Sequence, residues 1–555
     1  MSAAVRRRFL QLPGRQVHYY RAGEGPPAVL VHSSPASARL LMKEIRRLSR
    51  DHTVFAFDTP GFGLSDPLPL GTMEVADLAD ALAEALAELA MPRCPVFGTH
   101  TGAAIALELG VRHPERVTGL VLDGVPAFTD DERARFFGDY FPRMPPSVLG
   151  GHYAEAWTRF RDQSLWFPWP DKRPQNLNEY DLGPPHSTHL WVSMFFDAAE
   201  HYAPAYKAAS HYGGKALTAA AALTVPAVYT ATTTDMLYPH LDRLPPMKAG
   251  QRIASIGTSY EAKRELTADS FAAFGADGPP PADRDSIGSV ATVARQYMAG
   301  SAGNLHLRWC GDRSAPPLLL IHDAPGSSEQ LGSLIEALGR NTFVIAPDLP
   351  GNGESDPFAT VPDLAAFARE LVVLLDRLDV ATASVLGIGF GSSVALELAR
   401  AAPGRVSKLA LCGLALPDGP ERERLAANLT PPIPIEPDGA HWYRTWLMLR
   451  DWQVYWPWFD RTRAALRRVE ADFGARPLHR WTMDVMRARD TYHHLIQAAL
   501  AHDAEALLAS VTSPLLLVRD PLRPLSVYDD RLAQLRPDAL WVEAADETAL
   551  SAALA

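Results

Sequence analysis

Cysteine is scarce in this chain. Cys94, Cys310 and Cys412 are the only three in 555 residues, an odd number without metal-type spacing, so neither a disulfide framework nor a structural zinc is expected. Long apolar runs are also missing: nothing approaches the ~20 residues that span a bilayer. The opening MSAAVRRRFLQLPGRQ meets Pro13 and Gly14 before any apolar stretch of signal-peptide length. It reads as the lead-in to a strand, and the expectation is a soluble cytoplasmic protein without membrane contact. A basic excess is lacking too, with 53 Lys and Arg against 64 Asp and Glu, net −11. Phosphate binding needs a concentrated basic footprint, so nucleic acid is not an expected partner. What is present, 47% hydrophobic and 21% charged residues, is close to a globular average, in a chain too long for one ordinary core.

The chain repeats itself. PPAVLVHSSPAS, ending at Ser37, lines up with PPLLLIHDAPGS, ending at Ser327, and FAFDTPGFGLSDP follows with Asp58 on Asp348, both at an offset of 290. From GTHTGAAIALELG against GIGFGSSVALELA the offset is 289, and it holds through GGHYAEAWTRFRDQSLWFPW against GAHWYRTWLMLRDWQVYWPW. His152 then pairs with His441 and Arg161 with Arg450. ADGPPPADRD, Ala276 to Asp285, has the Pro, Gly and charge content of a linker. The expected domains are 1–275 and 286–555, joined by 276–285, with the two copies packing together and homo-oligomerisation left open.

Within each copy, short apolar runs rich in β-branched residues (AVLVH, TVFAF, CPVFG, VTGLVL, PAVYTA) alternate with helical patterns such as MEVADLADALAEALAELA. The fold class is α/β: a mostly parallel sheet flanked by helices. Long inserts, about 126–224 and 415–510, carry ten of the twelve tryptophans and read as helical caps.

Taken in order, these segments resemble the α/β-hydrolase superfamily over nearly all of both halves. The resemblance rests on the HSSP turn after an apolar strand, DTPGFGLSDP, the strand-to-helix turn Gly98-Thr99-His100-Thr101-Gly102 in the place of G-x-S-x-G, RHPERVTGLVLDG, and VPAVYTATTTD. It implies a pocket beneath the cap, a nucleophile at the tip of the turn, and an oxyanion site formed by backbone N–H groups of Thr101 and of the Ser33–Ser34 turn. It further implies a carboxylate at Asp235 or Asp123 and a histidine after the last strand. This sequence departs from the pattern at the decisive positions. The tip is His100 in the first copy and Gly389 in the second, and QRIASIGTSYEAKREL holds no histidine. In the second copy Arg523 replaces Asp235 and Cys412 replaces Asp123.

Serine hydrolysis of the usual kind lacks its nucleophile–base pair. Three roles stay open for His100: general acid or base oriented by a carboxylate, nucleophile, or ligand contact. His32 and Asp58 recur as His322 and Asp348 in the degenerate copy, which favours structural roles, although His32, Ser33 and Ser34 lie where substrate would bind. His152, Trp166 and Tyr260 are further pocket candidates, while Arg161 and Arg450, each followed by Asp, suggest local ion pairs. The expected function is an α/β-hydrolase-like enzyme working in the first copy without metal or cofactor. It would cleave a small, partly apolar ester, thioester, amide or activated C–C bond. The alternatives are a cofactor-free lyase, decarboxylase or oxygenase, and a pseudoenzyme or small-ligand-binding protein, with the second copy as scaffold.

Overall fold

The computed structural model describes residues 4–283, 287–545 and 547–554. The chain forms two compact units, residues 1–145 with 152–283, and 146–151 with 284–555. Each holds an eight-stranded sheet. In the first unit the strands are β1 (Arg6–Leu12), β2 (Arg15–Ala22), β3 (Pro27–Val31), β4 (Thr53–Phe57), β5 (Cys94–Thr99), β6 (Val117–Asp123), β7 (Ala227–Ala231) and β8 (Gln251–Ser255), in the order β1-β2-β4-β3-β5-β6-β7-β8. The pairings β1–β2 and β2–β4 are antiparallel and the other five are parallel. Every residue of β3 through β7 is buried, as expected of central strands covered by helices on both faces.

The second unit repeats this order with β9 (Val290–Ala299), β10 (Asn304–Gly311), β11 (Pro317–Ile321), β12 (Phe343–Pro347), β13 (Ala383–Ile388), β14 (Val406–Cys412), β15 (Leu515–Arg519) and β16 (Leu540–Glu543). Even the register is shared. Thr99 stands opposite Asp123 in the first sheet, and their counterparts Ile388 and Cys412 are opposite one another in the second. The two histidine–aspartate pairs under the sheets match as well: His18 Nδ1 lies 2.8 Å from Asp58 and His306 Nδ1 2.9 Å from Asp348.

Between β6 and β7 the first chain segment forms five cap helices, Asp130–Phe136, Gly151–Leu165, Pro185–Ala198, Tyr202–Ser210 and Gly213–Ala222. The second cap lies likewise between β14 and β15. Among the described residues no helix is long and apolar enough to cross a membrane, no group of His, Cys, Asp and Glu could hold a metal ion, and the three cysteines are free and buried.

Candidate functional site

The first unit's site begins with close approach of backbones. A Cβ at Gly98 would lie 2.1 Å from the carbonyl oxygen of Gly102, and one at Gly102 would lie 2.2 Å from that of Val31. Only glycine permits helix Thr101–Arg112 to start so tightly behind β5. The residue at the tip absorbs the bend: His100 adopts φ 50°, ψ −109°, a conformation costing about 1–3 kcal/mol for a side chain with a Cβ. Its own N–H is held by the Asp123 carbonyl at 2.8 Å.

His100 reaches Asp235, which follows β7. Nε2 is 2.8 Å from Asp235 Oδ2, and Asp235 Oδ1 accepts the Leu237 N–H at 2.8 Å. The imidazole is 33% exposed and the carboxylate 14%, and Nδ1 makes no protein hydrogen bond. Burial works against the imidazolium, but Asp235, with Asp123 behind it, more than compensates, so the His100 pKa lies above its ordinary value. The same pairing outweighs burial at Asp235 and holds its carboxyl down at about 2.

Asp123 is not His100's side-chain partner. Its Oδ2 accepts hydrogen bonds from Lys263 Nζ and Thr99 Oγ1, each at 2.8 Å, while Oδ1 is buried without a partner. Lys263 lies on helix Tyr260–Phe274, after the last strand, where the family pattern calls for histidine. Burial opposes its charge, yet Asp123 raises its pKa overall. Tyr260, one turn earlier and 57% exposed, puts its ring 4.8 Å from the ammonium. Sequence reasoning passed over Lys263 because it sought a histidine there. The signal was Tyr260 and Lys263 at i and i+3, on one helix face.

The turn after β3 closes the site. Ser34 donates its N–H to Thr101 Oγ1 at 3.3 Å, and Ser34 Oγ is buried with no partner. His32 stands beneath this turn: Nδ1 meets the Ser33 carbonyl at 2.9 Å, and Nε2 accepts the Thr59 N–H at 3.0 Å. Both nitrogens are used, and burial lowers its pKa. His322 repeats the arrangement with Asp323 and Leu349, so His32 fixes the turn rather than facing a ligand. His152 is buried in the cap against Tyr153 and Phe196, its pKa pushed down to about 4 by burial. Trp166 lies beside Lys172 in a bridge with Leu177. The local ion pairs expected of Arg161 and Arg450 do not form: Asp162 pairs with Lys172 and Asp451 with Arg461, because each arginine points along a different helix face from the aspartate next to it.

In the second unit an acidic side chain occupies the corresponding centre. Gly389 has φ +56°, and a Cβ there would fall 2.0 Å from the Asp323 carboxyl. Asp323 Oδ1 accepts the N–H groups of Phe390 and Ala324, each at 2.8 Å. These are the counterparts of the Thr101 and Ser34 N–H groups. Burial pushes the Asp323 pKa up to about 6 against the opposing pull of Arg523 and both N–H groups. The second unit is not filled in: a cavity of about 500 Å³ remains, lined among others by Asp323, Arg523, Trp452 and Trp481. The expected inert scaffold therefore keeps its hollow.

Comparison with known proteins agrees with this architecture. The family model described as alpha/beta hydrolase fold matches residues 26–249 and 316–470. The chain is 38% identical over 111 residues to the dihydrolipoyllysine-residue acetyltransferase component of the acetoin cleaving system of Pseudomonas putida, covering 20% of this chain and 30% of that protein. It is 30% identical over 112 residues to the pimeloyl-[acyl-carrier protein] methyl ester esterase of Nitrosospira multiformis, covering 20% and 43%. The matches thus span less than half the length of these relatives. Among solved structures, epoxide hydrolase A from Mycobacterium thermoresistibile is similar, with TM-score 0.38 and 20% identity over 48% of this chain and 97% of that one. With its family match extending through both copies, the chain belongs to the α/β-hydrolase family.

Proposed function

We propose that the first unit is a hydrolase for a small, partly apolar acyl compound and that His100, paired with Asp235, is its proton-transfer centre. The observation carrying this reading is the 2.8 Å contact between His100 Nε2 and Asp235 Oδ2, which leaves Nδ1 without a protein partner on a partly exposed ring. Neutral His100 takes a proton from water as the water oxygen adds to the substrate carbonyl. Asp235 stabilises the imidazolium that results, and the imidazolium returns the proton to the leaving group.

The oxyanion formed in between needs donors already in place. Support for the Thr101 and Ser34 N–H groups, the latter exchanging its long 3.3 Å bond to Thr101 Oγ1 for the oxyanion, comes from the second copy, where their counterparts hold one carboxylate oxygen at 2.8 Å each. Asp123 and Lys263 form a second charge pair beside the centre, and Tyr260 borders it. The relatives that include an ester esterase agree with acyl chemistry.

The test is a screen of p-nitrophenyl and thioester substrates with wild-type protein and His100→Ala, together with a serine-directed fluorophosphonate probe. Turnover that disappears in the variant, with no labelling by the probe, is the expected result. Full turnover in His100→Ala, or covalent labelling of a serine, overturns the proposal.

A further inference from the structure

The first cap contains a charge with no counter-charge. Arg159, on helix Gly151–Leu165, is 2% exposed, and none of its Nε, Nη1 and Nη2 atoms has a hydrogen-bond partner. Aromatic rings surround it instead: the guanidinium carbon lies 4.6 Å from the ring centre of Phe160, 5.3 Å from Phe195 and 5.5 Å from Trp169. The phenols of Tyr140, Tyr202 and Tyr206 sense its charge, but burial pushes all three pKa values upward. They stay neutral and supply no anion.

Contacts with ring faces recover only part of what a buried, unpaired cation loses on leaving water. Five dry N–H donors add to that cost, and an arginine does not escape it by losing its proton. The duplicate shows that packing does not require the charge. At the matched position, offset by 289, stands Met448, also buried and apolar.

We propose that Arg159 is an anion-binding residue of the first cap, taking the carboxylate of a small organic acid whose flat apolar body lies against Phe160, Trp169 and Phe195. A guanidinium fork matches a carboxylate through two parallel hydrogen bonds. Aromatic walls suit a planar, singly charged group better than a tetrahedral dianion, whose second charge they leave unmatched. The nitrogens are sealed from solvent in the structure, so entry requires the cap helices to part. The inference concerns binding and does not rest on the role of His100.

The experiment measures binding of sodium benzoate to the full chain by calorimetry and by thermal shift, with benzyl alcohol and inorganic phosphate as comparison probes. Wild type and Arg159→Met, which copies the second cap, are compared, with Arg159→Lys as a second variant. Saturable benzoate binding is expected in wild type, weakened at least tenfold in Arg159→Met and partly kept in Arg159→Lys, with little response to benzyl alcohol. Without ligand, Arg159→Met is expected to melt at or above the wild-type temperature. No benzoate binding by wild type, equal binding by Arg159→Met, or tighter Arg159-dependent binding of phosphate overturns the assignment. So does a marked fall in the ligand-free melting temperature of both variants, which would make Arg159 a structural cation.

Discussion

Two turns built on the same glycine framework have come to carry different side chains. In the first copy, the imidazole leans away from the turn onto Asp235, and the Ser34 N–H is donated to the Thr101 hydroxyl rather than to an anion. In the second, the tip has lost its side chain, and Asp323 has moved an anion onto the equivalent N–H groups while Arg523 stands in the place of Asp235. The backbone N–H groups at such a turn suit negative charge, as Asp323 shows in the second copy. Chemistry depends on whether that place is left open for a substrate or filled by the protein.

Four comparisons test this contrast. The largest effect is expected at His100: His100→Ala should lower kcat/KM by about 10²–10⁴-fold, whereas Asp323→Asn, in the second copy, should leave turnover unchanged; steady-state kinetics on both variants decides. Next comes the Asp123–Lys263 pair, absent from the second copy. Lys263→Met leaves the buried Asp123 carboxylate without its counter-charge, held only by the Thr99 hydroxyl, and should destabilise the protein by about 3–5 kcal/mol in denaturant melts, while the double change Asp123→Leu with Lys263→Met should recover most of that.

Asp235→Asn should lower kcat by about 10²-fold and shift the pH profile. Because Asp235 raises the His100 pKa, activity through neutral His100 rises with pH through that elevated value, and the inflection moves down in the variant. The sign for stability runs the other way. A raised histidine pKa stabilises the fold below its unfolded value of about 6.5 and is lost as pH climbs through the folded one, and Asp235, held near 2, adds stability lost only in strong acid. The smallest effect belongs to Asp323. Its folded pKa of about 6 lies above an unfolded value near 3.8, so wild-type stability falls as pH rises between them. Asp323→Asn should remove this loss, worth about 2 kcal/mol for a carboxyl that opens on a cavity, as read from urea melts at pH 4 and pH 7.

Much of the fold was legible in the sequence because it depends on local pattern. All-apolar runs became buried strands, and the constant offset became two sheets of identical order. His100 and Asp235 were legible by position within motifs. Lys263 was not, because its partner Asp123 is distant in the chain and the motif pointed to another residue type. Asp323 was hidden in a different way: HSSP and HDAP differ by two letters, and nothing in them reveals that a carboxylate bends back into the space over Gly389. Arg159 was missed in favour of Arg161, two residues and about 200° further round the helix. Composition could not tell the inward face from the outward one in a segment with aromatics on every side.

The carboxylate over Gly389 also restricts how the second copy could change. A side chain added at the tip would bring its Cβ to within 2.0 Å of the Asp323 carboxyl, so Gly389→His requires that carboxyl to swing off the Phe390 and Ala324 N–H groups. Shortening Asp323 by itself frees that space but leaves Arg523 without that neighbour. The tip residue and residue 323 compete for the same space, so a change at one position sets what the other can do.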